Sequence, residues 1–511
     1  MRSVETVLFL VVLATVVATF ARRLRVPAPS LLVVAGVVVG LIPGVPAVGI
    51  TPEVVSLVVL PPLLFAAGEE LPWRDLRAVW RPVAVLAVGL VVGSAVAVGA
   101  VAILLTPMPV SVAFVLGAVL ASTDPVAVTA LARRLSLPPR VQALVQAESL
   151  FNDATSLLLF RLALSLAVTV SVSWRHAVSE FALLAVGGVL VGAFVALGAY
   201  LIRSRTEDPV LETVVALVTP YGAYVLAEAV GASGVTAVVV ASVVLGTQAT
   251  RLTTAHIRLQ LGAVYETVVF LLESVVFGLI GLQLPALIRQ LQNTDEKWPL
   301  YALAIAATLI VVRLLWVFPL SAVLQRRRGA RPSWRVPAVV SWAGAHGVVP
   351  LAAALSLPLG LPHRELLLLL TTAVIVITLV VQGFTLAPLV RRAGIALDPT
   401  DVRQEHQNAR LHLARTGLTH LEQLAESETA PELVADQLRH SWQARISRIE
   451  NHDVDDPESS AGAAYLRLRR ELLDVEGTEL THLYETGVIT DTTRRRIQRQ
   501  LDLEHAGLDD D

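Results

Sequence analysis

The chain has 511 residues, 55% of them apolar and 16% charged, with a mean hydropathy of +0.67. Soluble globular proteins are typically about 45–50% apolar and about 25% charged, so a soluble enzyme and a disordered chain are both excluded. The net charge of −2 joins two opposed parts: residues 1–392 carry 27 basic and 18 acidic side chains, whereas residues 393–511 carry 13 basic and 24 acidic. Nearly uncharged runs of 16 or more residues recur along the first part, close to the length that spans a bilayer. The alternating segments of about ten residues that mark a membrane β-barrel are missing. With no cysteine in the chain, disulfides, thiolate chemistry and Cys-based metal sites have no basis. Lys297 is the sole lysine, a bias that reads as genome composition. The sequence is therefore read as an all-α polytopic membrane domain over 1–392 and an acidic, helical, soluble domain over 393–511.

Thirteen spans are predicted, at 4–20, 28–43, 52–67, 82–105, 110–132, 141–170, 177–202, 209–229, 232–247, 261–283, 299–323, 336–356 and 365–390. No small-residue cleavage site follows the first, which is read as a retained span rather than a signal peptide. Loops after odd-numbered spans hold 18 arginines, including Arg74, Arg77 and Arg81 after the third and Arg203 and Arg205 after the seventh. Loops after even-numbered spans hold only 4 basic residues, Arg175, Arg289, Lys297 and Arg364. An error in the span count would scramble this alternation. Positive loops stay inside, so the N-terminus is expected outside and the tail in the cytoplasm.

Ionisable groups within spans are costly and mark ion or proton pathways, or pair with one another. The spans contain Asp124, Glu148, Asp153, Arg161, Glu212, Glu228, Glu266, Glu273, Arg313 and His346. In the fifth, Ala121-Ser122-Thr123-Asp124-Pro125 should break the helix at Thr123-Asp124, because proline removes a donor and disfavours helix in the residue before it. Backbone carbonyls, a hydroxyl and a carboxylate are then left at membrane depth, tolerated only inside protein or along a wet cavity. A plain proline kink, with Asp124 bonded to nearby amides, is the alternative.

The sixth span carries Glu148-Ser149-Leu150-Phe151-Asn152-Asp153. At about 100° per residue, Ser149 and Asp153 lie about 40° apart on one face, and Glu148 lies about 140° from Asp153. One carboxylate can meet an ion while the other is held by a cation; Asn152 lies between. A polar network without a transported ion is the alternative. Arg313, in an apolar run of the eleventh span, stays charged and needs an acidic partner, for which Glu148 or Glu273 would serve. The twelfth span reads Ser341-Trp342-Ala343-Gly344-Ala345-His346-Gly347-Val348-Val349-Pro350, and its glycines and proline interrupt a helix much as Pro125 does. With the seventh span as a linker, the fifth and twelfth are equivalent members of two six-span halves. Interrupted spans at matching places point to a transporter's binding site. His346 is a packed histidine or a proton sensor.

In the tail, helices are expected near 401–426, 431–450 and 462–485. Leu411, Ala414, Leu418 and Leu421 recur on one helical face. The acidic stretch Asn451–Glu458, with His452, reads as a solvated linker.

Thr123-Asp124-Pro125, Glu148-Ser149 with Asn152-Asp153, Glu273 before Phe277, Arg313 and the Gly-rich twelfth span together resemble the monovalent cation:proton antiporters, in the branch of NhaP and the animal sodium/proton exchangers. The resemblance covers about 50–390, and in the tail extends more weakly to Gly487-Val488-Ile489-Thr490-Asp491 and Leu501-Asp502-Leu503-Glu504. It implies thirteen helices in inverted repeats, with the fifth and twelfth crossing as broken helices, and a homodimer in which a core domain moves. It implies that Asp153 binds the cation and the proton, with Thr123, Asp124, Ser149 and Asn152 beside it at the site. Glu148 and Arg313 match a structural ion pair. Many members carry arginine where His346 stands, so pairing of Glu273 with an arginine at that place is not expected here, and the charge at His346 can titrate near neutral pH. The third span ends in Glu69-Glu70, where members often have one acid; Glu70 is taken as the match. Glu70, Glu273 and His346 are thus candidate modulators.

A buried carboxyl favours its protonated form, while a bound cation favours the ionised one, so proton and cation compete for one group. One carboxylate that swaps one proton for one monovalent cation moves no net charge. The expected activity is electroneutral exchange of sodium or lithium for a proton, with potassium as the alternative cation. Divalent binding would want more charge. No bond is made or broken, so no enzyme activity and no cofactor beyond the transported cation is expected. The expected partners are membrane lipid and a second copy of the chain, with no nucleic acid. A cation channel, an ion-sensing receptor and an organic-solute carrier are the rival readings.

Overall fold

The computed structural model describes residues 2–24, 27–43, 55–124, 137–168, 174–206, 208–248, 253–291, 297–327, 333–427, 431–450, 461–486 and 488–509. These form helices joined by turns, with no strand among the described residues. The chain divides into two compact units, Met1–Ala396 and Leu397–Asp511.

The first unit runs α1 (Arg2–Leu24), α2 (Ala28–Gly40), α3 (Val55–Glu69), α4 (Trp73–Leu105), α5 (Val110–Val119), α6 (Pro139–Val168), α7 (Trp174–Arg203), α8 (Pro209–Ala229), α9 (Gly234–Gly246), α10 (Ala255–Leu291), α11 (Trp298–Arg327), α12 (Arg335–Trp342), α13 (Val348–Leu355) and α14 (Arg364–Ala393). In lipid a helix satisfies its own backbone groups, so long apolar runs take this form. Local signals set the ends. Asp208 accepts from the Val210 and Leu211 N–H groups at the start of α8, and Ser233 accepts from Thr236 at the start of α9, as N-caps do. Gly394, at φ 60°, closes α14 in the left-handed conformation that glycine adopts without strain.

Seven of the described helices are long and apolar enough to cross a membrane: α4, α6, α7, α8, α10, α11 and α14. Shorter apolar helices include α2, α3, α5 and α9. Of the seven, α14 is the most enclosed. Leu104, Phe194 and Leu315 turn outward, each at least 69% exposed; apolar surface on this scale suits lipid rather than water. Small residues bring backbones together, as is common between membrane helices. A Cβ on Gly36 of α2 would stand 2.4 Å from the Gly278 carbonyl of α10, and one on Gly281 would stand 2.2 Å from that of Val33.

Several helices run past the expected span ends, as α10 does to take in Arg258 and Arg289, and two cases bear on the packing. Arg74, Arg77 and Arg81 do not lie in a loop. They sit in the first turns of α4, which starts after Pro72 with an amphipathic stretch and continues into the apolar one. Arg203, also expected in a loop, is the last residue of α7 and is 1% exposed.

The second unit contains α15 (Pro399–Glu426), α16 (Glu432–Glu450), α17 (Ala461–Glu485) and α18 (Asp491–Asp509). Helix α15 packs on α16, and α17 on α18. Ala414 is buried and Leu411, Leu418 and Leu421 are half-buried, so the face inferred from spacing is the one that α15 turns inward. Helix α18 was not anticipated, although Ile497, Leu501 and Leu508 recur on one of its faces among many charges. The acidic stretch with His452 lies outside the described residues, as do Pro125 and Gly487.

Candidate cation site

Two interrupted helices meet in the first unit. Non-helical Leu120–Asp124 follows α5, and Ala343–Gly347 separates α12 from α13. The Asp124 N–H donates to the Ala345 carbonyl at 2.7 Å. The Asp124 carboxylate in turn accepts from the Val348 N–H at 3.4 Å, in the first turn of α13, where the helix dipole favours negative charge. The close approach requires glycine at 347, because a Cβ there would stand 1.7 Å from Asp124 Oδ2. Gly347→Ala is therefore expected to push Asp124 off α13. The overpacking should cost roughly 1–3 kcal/mol, read as a lower melting temperature of the purified protein; an unchanged value would contradict the tight crossing.

Helix α6 runs past this crossing and presents different side chains to different neighbours. Glu148 faces Arg313 of α11 and accepts from its Nη1 at 2.9 Å and its Nη2 at 2.6 Å. Both side chains are at most 5% exposed, and this two-pronged geometry is the strong form of the Arg–carboxylate pair. Asn152 Nδ2 donates to Glu148 Oε1 at 3.0 Å and to Thr123 Oγ1 at 2.8 Å. Of the two acids considered for Arg313, Glu148 is thus the one in contact. The Ser149 hydroxyl donates to the Thr123 carbonyl. Asp153 is 6% exposed and lies within electrostatic range of Asp124 and Glu148.

Asp153, Asp124, Thr123 and Ser149 share one cavity of about 710 Å³. Its wall includes Glu69 at the end of α3 and Glu70 just after it, Arg203 of α7, and Arg258, Glu266 and Glu273 of α10. Two carboxylates, two hydroxyls and the carbonyls of unwound backbone supply the hard oxygens that alkali cations prefer. Glu148, Asn152 and Arg313 stand behind this cavity rather than in its wall.

His346 takes a different place. It is 2% exposed. Its Nε2 lies 3.1 Å from the Leu120 carbonyl and its Nδ1 3.3 Å from Thr378 Oγ1 of α14. A carbonyl only accepts, so Nε2 carries a proton. His346 lines a separate void of about 10 Å³ with Arg313 and Gln382, whereas Glu273 lines the large cavity.

Three further ion pairs in the first unit, two of them on Arg203, were not foreseen. Arg203 Nε donates to Glu212 Oε1 at 3.2 Å, with Glu69 Oε1 3.9 Å from its Nη1. The available signal was a basic residue ending one helix and an acidic residue opening the next across a short turn, the placement that helix dipoles favour. Further along α6, Arg161 pairs with Glu228 of α8, and Glu228 also accepts from the Gly234 N–H at 3.2 Å.

The transmembrane sodium/hydrogen exchanger pattern matches residues 10–392. An uncharacterized Na(+)/H(+) exchanger of Mycobacterium tuberculosis is 33% identical over 98% of this chain and 96% of its own length. The Na(+)/H(+) antiporter ApNhaP of Aphanothece halophytica is 31% identical, over 73% of this chain and 71% of its own. The solved sodium proton antiporter MjNhaP1 of Methanocaldococcus jannaschii shares the fold, with a TM-score of 0.62 at 21% identity over 78% of this chain and 98% of that one. The apolar helices, the crossing of two interrupted segments and these likenesses describe a multi-pass membrane protein, and the chain belongs to the sodium/hydrogen exchanger family.

Proposed function

We propose that the protein exchanges one sodium or lithium ion for one proton across the cell membrane by alternating access. The observation that carries this reading is the placement of Asp153 beside Asp124, Thr123 and Ser149 in one cavity, while the charge of Glu148 is met by Arg313. A cation entering the cavity meets oxygen ligands and favours ionised Asp153; a proton arriving there displaces the cation. An empty, charged site is costly to carry through an apolar interior, so only the loaded forms cross, and exchange is obligatory. Asn152 fixes the rest of the site by joining Glu148 to Thr123. Glu69, Glu70 and Glu266 supply negative charge along the cavity wall, which raises the local cation concentration.

The wider reading has thirteen spans in two inverted halves, an outside N-terminus and a cytoplasmic tail. It also has a homodimer in the plasma membrane that serves pH homeostasis. Proton movement in proteoliposomes on addition of sodium, lithium or potassium tests the exchange and ranks the cations. Potassium giving the largest signal would reverse the cation assignment. Current under a cation gradient without coupled proton movement would replace antiport by a channel.

Electroneutrality makes a separate prediction. One charge replaces one charge, so the exchange rate should not change when the membrane potential is clamped with valinomycin and potassium. A rate that follows the imposed potential would show that more than one proton moves per cation.

A further inference from the structure

Helix α6 carries Ser149 and Asp153 in the cavity and then runs on past it. Among the described residues that line the cavity, none of α6 lies beyond Asp153 and none belongs to α8. The cavity therefore opens toward one end of the bundle, where Glu70 follows α3, Arg203 closes α7 and Arg258 stands in the first turn of α10. Arg203 pairs with Glu212 in the first turn of α8, so α8 starts at the open end and runs away from it. Glu228, 16 residues further on, is about 24 Å along the helix. Arg161, eight residues beyond Asp153, is about 12 Å along α6. At this far end Arg161 Nη2 donates to Glu228 Oε1, and Glu228 is fixed by the Gly234 N–H at the start of α9.

This pair crosses between two groups of helices. Helix α6 packs chiefly on α4 and α5, whereas α8 packs on α7, α9 and α10 and makes little backbone contact with α6. The pairs of Arg203 join α7 to α8 and α3 within one group, and Glu148–Arg313 joins α6 to α11 within the other. The Arg161 and Glu228 side chains are 37% and 34% exposed, and pairs exposed to this degree contribute little to stability. A contact too weak to hold a fold together is still strong enough to bias two arrangements of similar energy. We propose that Arg161 and Glu228 form a latch that keeps the far end shut and must part before Asp153 can face that side. The proposal rests on the exchange reading, in which the site faces the two sides in turn, and names the contact that sets the balance between them. Ser149, Asp153, Leu157 and Arg161 lie four residues apart along α6, so they form one row, and parting the latch uncovers the row from its far end.

The full-length protein in lipid nanodiscs exposes both ends of the bundle to reagent. It has no cysteine of its own, so each introduced thiol is the sole one. Leu157→Cys, half-buried between Asp153 and the latch, reports on the far end, and Ala66→Cys in the cavity wall reports on the open end. Glu228→Gln should raise the rate at which a charged methanethiosulfonate reagent modifies position 157 by up to about five-fold, the weight of such a pair in a two-state balance. It should not raise the rate at position 66. An unchanged rate at 157, or equal rises at both positions, would overturn the latch. Bridging Arg161→Cys to Glu228→Cys with a short bis-methanethiosulfonate gives a second readout in proteoliposomes. Cation-coupled proton movement should be present before bridging, stop with it and return on reduction. Exchange that persists through the bridge, or that is absent before it while the wild type exchanges, would also overturn the proposal. Absence of exchange in the wild type would instead reject the exchange reading, and the labelling rates, which need no transport, would still decide the latch.

Discussion

Asp153→Asn is expected to abolish cation-coupled proton movement in proteoliposomes while leaving the protein folded and membrane-inserted. The substitution keeps the size and most of the hydrogen-bonding capacity of the side chain but removes the group that carries either a proton or a charge. Asp153 shares its cavity with Asp124, Thr123 and Ser149, so the mutant retains oxygens near the cation. What it loses is the competition between cation and proton on one atom pair. The three other polar groups are already engaged. The Asp124 carboxylate accepts from the Val348 N–H, Thr123 Oγ1 accepts from Asn152, and the Ser149 hydroxyl donates to the Thr123 carbonyl. None of them replaces a titrating carboxyl free to exchange its ligand. Wild-type rates in the mutant would move the exchange to another acid of the cavity. The control is Glu70→Gln on the cavity wall, which removes an acid at the mouth of the site without touching the crossing and should slow transport rather than end it.

The parts of this arrangement that follow from local rules were legible in the sequence. The helical period alone separates Glu148 from Asp153 on α6, and the structure has the first against Arg313 and the second in the cavity. Proline and glycine chemistry is enough to interrupt the fifth and twelfth spans, and non-helical Leu120–Asp124 and Ala343–Gly347 stand there. Contacts between distant segments were not legible. Thr378, which holds His346, is 32 residues away on α14 and has no distinguishing mark in the sequence. Arg203 reads as one more positive loop residue until α8 and α3 are seen to close on it with Glu212 and Glu69. The arginines of α4 were misplaced because hydropathy detects only the apolar part of a helix, while the amphipathic turns before it continue the same backbone. The fourth tail helix escaped for the related reason that its one apolar row, Ile497, Leu501 and Leu508, is thin among many charges.

Arg313→Ala is expected to damage the protein itself before it damages transport. The guanidinium donates two short hydrogen bonds to Glu148 and a longer one, at 3.3 Å, to the Val340 carbonyl at the end of α12. It therefore links α11 to α6 and to the interrupted segment at once. Its path across α12 depends on a missing side chain, since a Cβ on Gly344 would stand 2.6 Å from Arg313 Cδ. Removing one partner of a buried pair leaves the other charged and uncompensated, which commonly costs about 3–5 kcal/mol. A loss of this size, comparable with the whole stability of many domains, should appear as a lower yield and melting temperature in detergent. Asn152 and Thr123 would still donate to Glu148, but two neutral donors do not balance a buried carboxylate. Glu148→Gln in the Arg313→Ala background removes the stranded charge and should recover part of the stability. Recovery without transport would separate the structural role of the pair from the chemistry at Asp153. An Arg313→Ala protein of normal yield and melting temperature would show instead that Glu148 is neutral in the folded state, and that the pair does not hold the crossing together.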